Sequence, residues 1–452
     1  MIFVGWAEFC EAHRDAAGAG WFPVGLAELG PPCGKKGNAC LGACGRGSRP
    51  SRWRRRAWSD STLTPAAARA AHGPAGDAAP RPLKLDPPHD ELPMAVSLEK
   101  RTPEVGHAAL ALARKLPHLT APAFLAALGQ PRDWRAGRVR IDATGATALA
   151  ADRIRAAVAG SPALGVAVPP YLTQQQVALA VAALEHAKLA VLGSIASPLA
   201  VAAVSPDRFR TALLVDADDH ALTWTVLTAE GPQARAVATL PLPHLSAKVW
   251  LDRLLDATAD RCVRLCRRDP RDSAAAEQYL YEQLIAALDR PPGLPVPLTI
   301  RTAHWYQELT LAADDLEAFG ASLARKATDG LRAVLEQAHA ASPKLDEPDL
   351  VWVTQSAARL PGLHSAIAAV AADAPVNVLP AEFVAAAAHA LAGRWQRGEL
   401  PRGHVDALVP RFAAKPSAAN GLPAPPPAPP ATANMNPLVR LRDSVRRPGQ
   451  QP

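Results

Sequence analysis

A chain of 452 residues, 49% of them hydrophobic, is long enough to bury a large core and allows about two to four domains. It lacks a long uninterrupted apolar run, which excludes a transmembrane helix. Its formal charge of +7 sits in local groups such as Arg52–Arg56 and Arg264–Arg271, which read as a solvated face or tail and not as a nucleic-acid surface.

From Met1 to Thr64 there is little periodicity, and four of the six cysteines fall here. Cys33, Cys40 and Cys44 lack the paired spacing of a zinc ribbon. Glu8, Glu11 and Arg14 interrupt the apolar start before a secretory core develops. Residues 1–65 are set apart as an N-terminal extension of uncertain or mispredicted origin. The span 66–412 reads as one α/β unit. Residues 413–452, with the run PAPPPAPPAT, read as an extended Pro/Ala-rich tail.

Within 66–412, Glu91–Gly106 places a proline before a strand and an acidic turn before Val105-Gly106 and a helix. Val166–Val204 gives a strand, Val168-Pro169-Pro170-Tyr171-Leu172-Thr173, a long helix, a second strand, then Pro198 and an Ala-rich helix. Thr211–Leu227 reads as a hairpin with Asp216 at its tip. Helices are expected over Lys248–Asp269, where Cys262 and Cys266 lie one turn apart, and over Ser273–Asp289. In Asp349–Leu363 a buried strand breaks at Thr354-Gln355-Ser356 and restarts as a helix after Arg359-Leu360-Pro361. A turn of that kind lies at the carboxyl end of a strand, where α/β proteins bind ligands. Trp250, Trp305 and Trp352 read as core, and Phe383–Gly393 as a further helix.

Five of these segments, in this order, resemble the nucleotide-binding domain of the heat-shock protein 70 (DnaK-type chaperone) family. The resemblance implies an actin-like ATPase fold of two α/β lobes around a cleft. Lobe one would take residues 66–210 and 379–412, and lobe two residues 211–378. The family's peptide-gripping β-sandwich has no counterpart in the Pro-rich sequence after Phe412. ATP or ADP with Mg²⁺ as cofactor, a protein partner or client, and a cytoplasmic setting are likewise implied, without nucleic acid or membrane.

Carried over position by position, the resemblance puts Asp216, Gln355, Ser356 and Arg359 at the nucleotide, Asp216 and Asp218 at the metal, and Pro169 and Pro198 at the structural switch. The departures are as informative. The second phosphate loop, glycine-rich in the family, is Asp216-Ala217-Asp218-Asp219-His220-Ala221, and the first has only Asp60-Ser61-Thr62-Leu63-Thr64 as a poor match. Leu110 stands where the family has its lysine, Ser197 where it has a glutamate, and Leu245-Ser246-Ala247 where it has Leu-Gly-Gly ahead of an aromatic, here Trp250. Glycines allow close approach of backbone to phosphate. Extra carboxylates oppose a polyanion by about 4 kcal/mol per pair at ~4 Å. Asp216, Asp218, Asp219 and His220 read either as a divalent-metal cluster or as an exposed turn. With donors of this kind each worth about 3 kcal/mol, efficient ATP hydrolysis is not expected. The leading expectation is a chaperone-related interaction module; the alternatives are a working ATP-binding chaperone subunit and an actin-like scaffold. A triad of Ser356, His364 and Asp349 lacks a nucleophile elbow and is set aside.

Overall fold

The computed structural model describes residues 57–74, 80–158, 163–290, 294–312 and 314–411. Every described residue belongs to one compact unit.

The chain enters as an antiparallel meander: β1 (Ala57–Leu63), β2 (Ala67–Pro74) and β3 (Arg81–Leu83), with β4 (Glu91–Pro93) also on β2. A small sheet of β5 (Ala95–Ser97), β6 (Glu104–Val105) and β7 (Thr120–Pro122) follows, enclosing the short α1 (His107–Leu110). Next come the hairpin β8 (Asp133–Ala136) and β9 (Val139–Asp142), and α2 (Ala143–Ala157), capped by Asp142 accepting from the Gly145 N–H. The parallel strands β10 (Leu164–Val168) and β11 (Val191–Ala196) complete the wall. Between them runs α3 (Gln174–His186), opened by a capping box of Thr173 and Gln176. This first sheet has the order β3-β2-β1-β10-β11.

After α4 (Ser197–Val204) the pattern begins again. The strands β12 (Thr211–Ala217), β13 (Leu222–Glu230) and β14 (Gln233–Leu242) form a second antiparallel meander. There follow α5 (Ala247–Cys266), α6 (Ala274–Leu288), the hairpin β15 (Val296–Arg301) and β16 (Tyr306–Leu311), and the 27-residue α7 (Asp315–Ala341). Then β17 (Leu350–Thr354) adds parallel to β12, and β18 (Val376–Leu379) parallel to β17. The order β14-β13-β12-β17-β18 repeats that of the first sheet. Two short helices, α8 (Gln355–Ala358) and α9 (Leu363–Ala368), stand between β17 and β18, and α10 (Phe383–Arg397) follows.

Near its described end the chain visits both sheets. The strand β19 (His404–Val405) joins β11, and β20 (Leu408–Pro410) joins β14. Arg411 then donates to the carbonyls of Asp207 at 2.6 Å and Ala202 at 3.3 Å.

The sheets share one core. In α4 the run Ser197–Ala203 is buried on every side, as expected of a helix apolar all round. With Leu391 and Trp395 of α10 it packs against Ile195 of the first sheet and Leu214 and Trp352 of the second. Small residues make this approach possible: a Cβ on Gly193 would overlap the Trp395 ring.

Three expectations need correction. The folded unit does not start at residue 66, since β1 at 57–63 pairs with both β2 and β10 in mid-sheet. Asp216 is not at the hairpin tip; it pairs with Thr223, and the turn is made by residues 218–221. The break after Thr354 is no plain turn, because Thr354 caps a helix that begins at Gln355, and Pro361 lies ahead of α9. The readings of residues 1–56 and 413–452 lie outside the described residues. Among the described residues no helix is long and apolar enough to cross a membrane.

Candidate functional site

The two meanders turn into a common cavity of about 320 Å³. From the first, the end of β1 brings Thr62 and the β1–β2 turn Thr64 and Ala66, and from the second, β12 and its turn bring Asp216, Ala217 and Asp219. The start of α8 adds Gln355 and Ser356. Expectation thus placed Asp216, Gln355, Ser356 and Arg359 together, and they line one cleft. Leu110 and Ser197, the positions where the family resemblance led us to look for lysine and glutamate, line it as well.

Asp216 is half-buried at the end of β12, where its Oδ1 accepts from Thr354 Oγ1 at 2.7 Å and Ser356 Oγ at 3.4 Å. Burial raises its pKa, and the Thr354 hydroxyl works the other way. Asp219, also half-buried, is pushed up to about 6 by burial, opposed by the charges of Arg359 and Lys248.

Asp218 does something different. It is 2% exposed and does not line the cavity. Its Oδ1 accepts from the N–H groups of His220 at 2.8 Å and Ala221 at 2.9 Å, and its Oδ2 from Tyr171 Oη at 2.5 Å. Burial and the neighbouring Asp216 charge push it up to about 7. Both alternatives for this turn therefore change: it is not an exposed turn, and the Asp218 carboxylate is engaged by the protein. Among the described residues no group of three or more His, Cys, Asp or Glu is placed to hold a metal ion.

The cations of the cleft each face a carboxylate, although the buried Arg359 Nε has no hydrogen-bond partner. Arg69 is paired with Glu91, and Arg359 Nη1 lies 3.3 Å from Asp289. Arg359 also stands at the edge of a second, more apolar cavity of about 450 Å³ that includes Val296, Leu360 and Ile367. Pro169 and Pro198 do not line the cleft; Pro198 is buried in the first turn of α4.

Sequence reasoning missed three features. Tyr171 crosses from the end of the first sheet to Asp218 in the second, and its motif had been noticed without a partner. The Arg69–Glu91 pair joins residues that became neighbours only when β2 and β4 paired. The hydroxyls of Thr62 and Ser197 face no partner although buried, which only packing could reveal. No known protein family matches this chain, and no curated protein matches it either.

Proposed function

We propose that this chain is a divergent two-lobed domain of the actin-like, heat-shock-70 type, whose cleft no longer processes nucleotide and which acts as a protein-interaction module. The repeated strand order, with a cleft where the two meanders turn, supports the fold reading. The observation that carries the functional reading is the charge of that cleft. Four carboxylates, Glu91, Asp216, Asp219 and Asp289, line it against two guanidinium groups, and each guanidinium is paired with one of those carboxylates. Phosphoryl transfer needs the opposite provision, with cations and backbone donors gathered around the phosphates. The turn that would cradle them contains Asp218, Asp219 and His220 and no glycine.

Thermal unfolding of the full chain, titrated with Mg·ATP and Mg·ADP, tests this. A ligand at about 100 times its dissociation constant stabilises a fold by roughly 2.7 kcal/mol. No movement of the midpoint at millimolar nucleotide is expected. A saturable rise would overturn the reading in favour of a nucleotide-binding chaperone subunit.

A further inference from the structure

The more apolar cavity, of about 450 Å³, shares Arg359 and no other lining residue with the cleft. Leu288 of α6, Val296 of β15, Val353 of β17 and Ile367 of α9 wall it. Leu294 and Val378 also line it, yet they stay 50% and 57% exposed. Large apolar side chains left in water beside an apolar hollow are the mark of a ligand site. At ~30 Å³ for each, the space admits roughly 15 heavy atoms. The polar provision is a guanidinium with too few acceptors. Of the five N–H donors of Arg359, one on Nη1 reaches Asp289 at 3.3 Å, and that carboxylate is itself 52% exposed. Its Nε is buried without a partner, and its Nη2 donates to none of the described residues, although the side chain keeps 28% of its surface. Arg290 and Glu317 offset each other in the lining, so Arg359 leaves it one positive charge in excess.

We propose that this cavity binds an amphipathic monocarboxylate, an acyl chain of about ten carbons whose carboxylate is held by the Nη groups of Arg359. A carboxylate only accepts and a guanidinium only donates, and bonds between them are charge-assisted. The chain lies among Leu288, Val353 and Ile367, where its methylenes and the exposed faces of Leu294 and Val378 leave water together. A head of the opposite sign would meet Arg359 with repulsion, and a neutral head would forgo the charge. The proposal goes beyond the preceding reading and does not rest on it, because the two cavities have one residue in common.

The test is a thermal-unfolding and calorimetric titration of the full chain with decanoate at constant ionic strength. A saturable rise of the midpoint is expected, with affinity reduced roughly tenfold or more in Arg359→Gln, the loss typical of one charge-assisted hydrogen bond. Val378→Glu gives an independent arm: the position is more than half exposed, so the fold is kept, while a carboxylate at the cavity is expected to weaken decanoate several-fold. Decanol, the same chain without the charge, is expected to bind roughly tenfold more weakly than decanoate, and decylammonium more weakly still. No midpoint shift with decanoate, a fall of the midpoint, an unchanged affinity in either variant, or decanol binding as tightly as decanoate overturns the proposal. Mg·ATP in the same titration addresses the cleft alone. A rise with nucleotide overturns the interaction-module reading and leaves the acyl site standing, whereas silence toward decanoate removes only the acyl site.

Discussion

In the first meander the chain turns from β1 to β2 through Thr64, whose Oγ1 donates to the Ala67 carbonyl at 2.9 Å and accepts from the Ala67 N–H at 3.1 Å. In the second the equivalent turn closes on Asp218, which accepts two backbone N–H groups and the Tyr171 hydroxyl. The strand orders match, yet one turn is closed by a neutral group and the other by an ionisable one. A neutral hydroxyl closes a turn without reference to pH. A buried carboxylate makes stronger bonds when charged, but burial disfavours the charge that makes them strong. The second turn is therefore the half of the cleft whose stability depends on protons.

The largest expected effect tests whether the two halves unfold together, through the cluster that packs residues of both sheets. Trp352 is fully buried where the sheets meet, edge-on to Phe209 at 5.0 Å between centroids, with its Nε1 donating to Asp207 at 3.0 Å. Trp352→Ala is expected to cost about 3–5 kcal/mol in denaturant unfolding. Because Trp352 belongs to the shared core, circular dichroism and fluorescence should report one transition. Two separated transitions would mean that the halves are energetically independent.

Next in size is the proton dependence of the two turns. The Asp218 pKa is raised from 3.8 to about 7. The folded state therefore holds a proton that the unfolded chain has lost over that range. Stability should fall as pH rises between these values, by on the order of a few kcal/mol. Asp218→Asn, which mimics the protonated acid, is expected to remove the Asp218 share of this slope, leaving the part due to Asp216 and Asp219, and to be the more stable protein above neutral pH. Thr64→Val should leave the slope intact. Equal slopes in Asp218→Asn and wild type would break the contrast between the turns.

Thr354→Val is expected to cost about 1–2 kcal/mol, since it removes the cap of α8 and the better donor to Asp216 together. Arg359→Gln should change stability by no more than about 1 kcal/mol, because its partner Asp289 is 52% exposed. A larger loss, seen in chemical denaturation, would make Arg359 a structural part of the cleft and not merely a residue at its edge.

Much of the second half was legible in the sequence. Helices expected over Lys248–Asp269 and Ser273–Asp289 form as α5 and α6 within three residues at each end, because Ser246 and Ser273 cap them and their apolar stripes are regular. Val166–Val204 yields its strand, helix, strand and helix as expected. The first strand was not legible. In β1 the buried positions include Ser59, Ser61 and Thr62, small polar residues whose burial hydropathy does not register. The site was half legible. Asp216, Gln355, Ser356 and Arg359 could be gathered by strand ends, whereas the roles of Asp218 and Tyr171 depend on a contact across 47 residues of sequence.

The closing segment restricts how this body can move. Only Asp406 and Ala407 separate β19 on one sheet from β20 on the other, and the Ala407 carbonyl is itself bound by the Ala236 N–H at 3.1 Å. Three residue steps reach ~10–11 Å when fully extended, so the two sheet edges cannot part further there without unpairing one of the short strands. Two other chain crossings, from α4 to β12 and from β18 to α10, already join the halves. The segment therefore works as a short strap along one margin, holding the edge of one sheet to the edge of the other. A cut between Val405 and Leu408 is expected to release both sheet edges at once, and so to lower the denaturation midpoint of the chain.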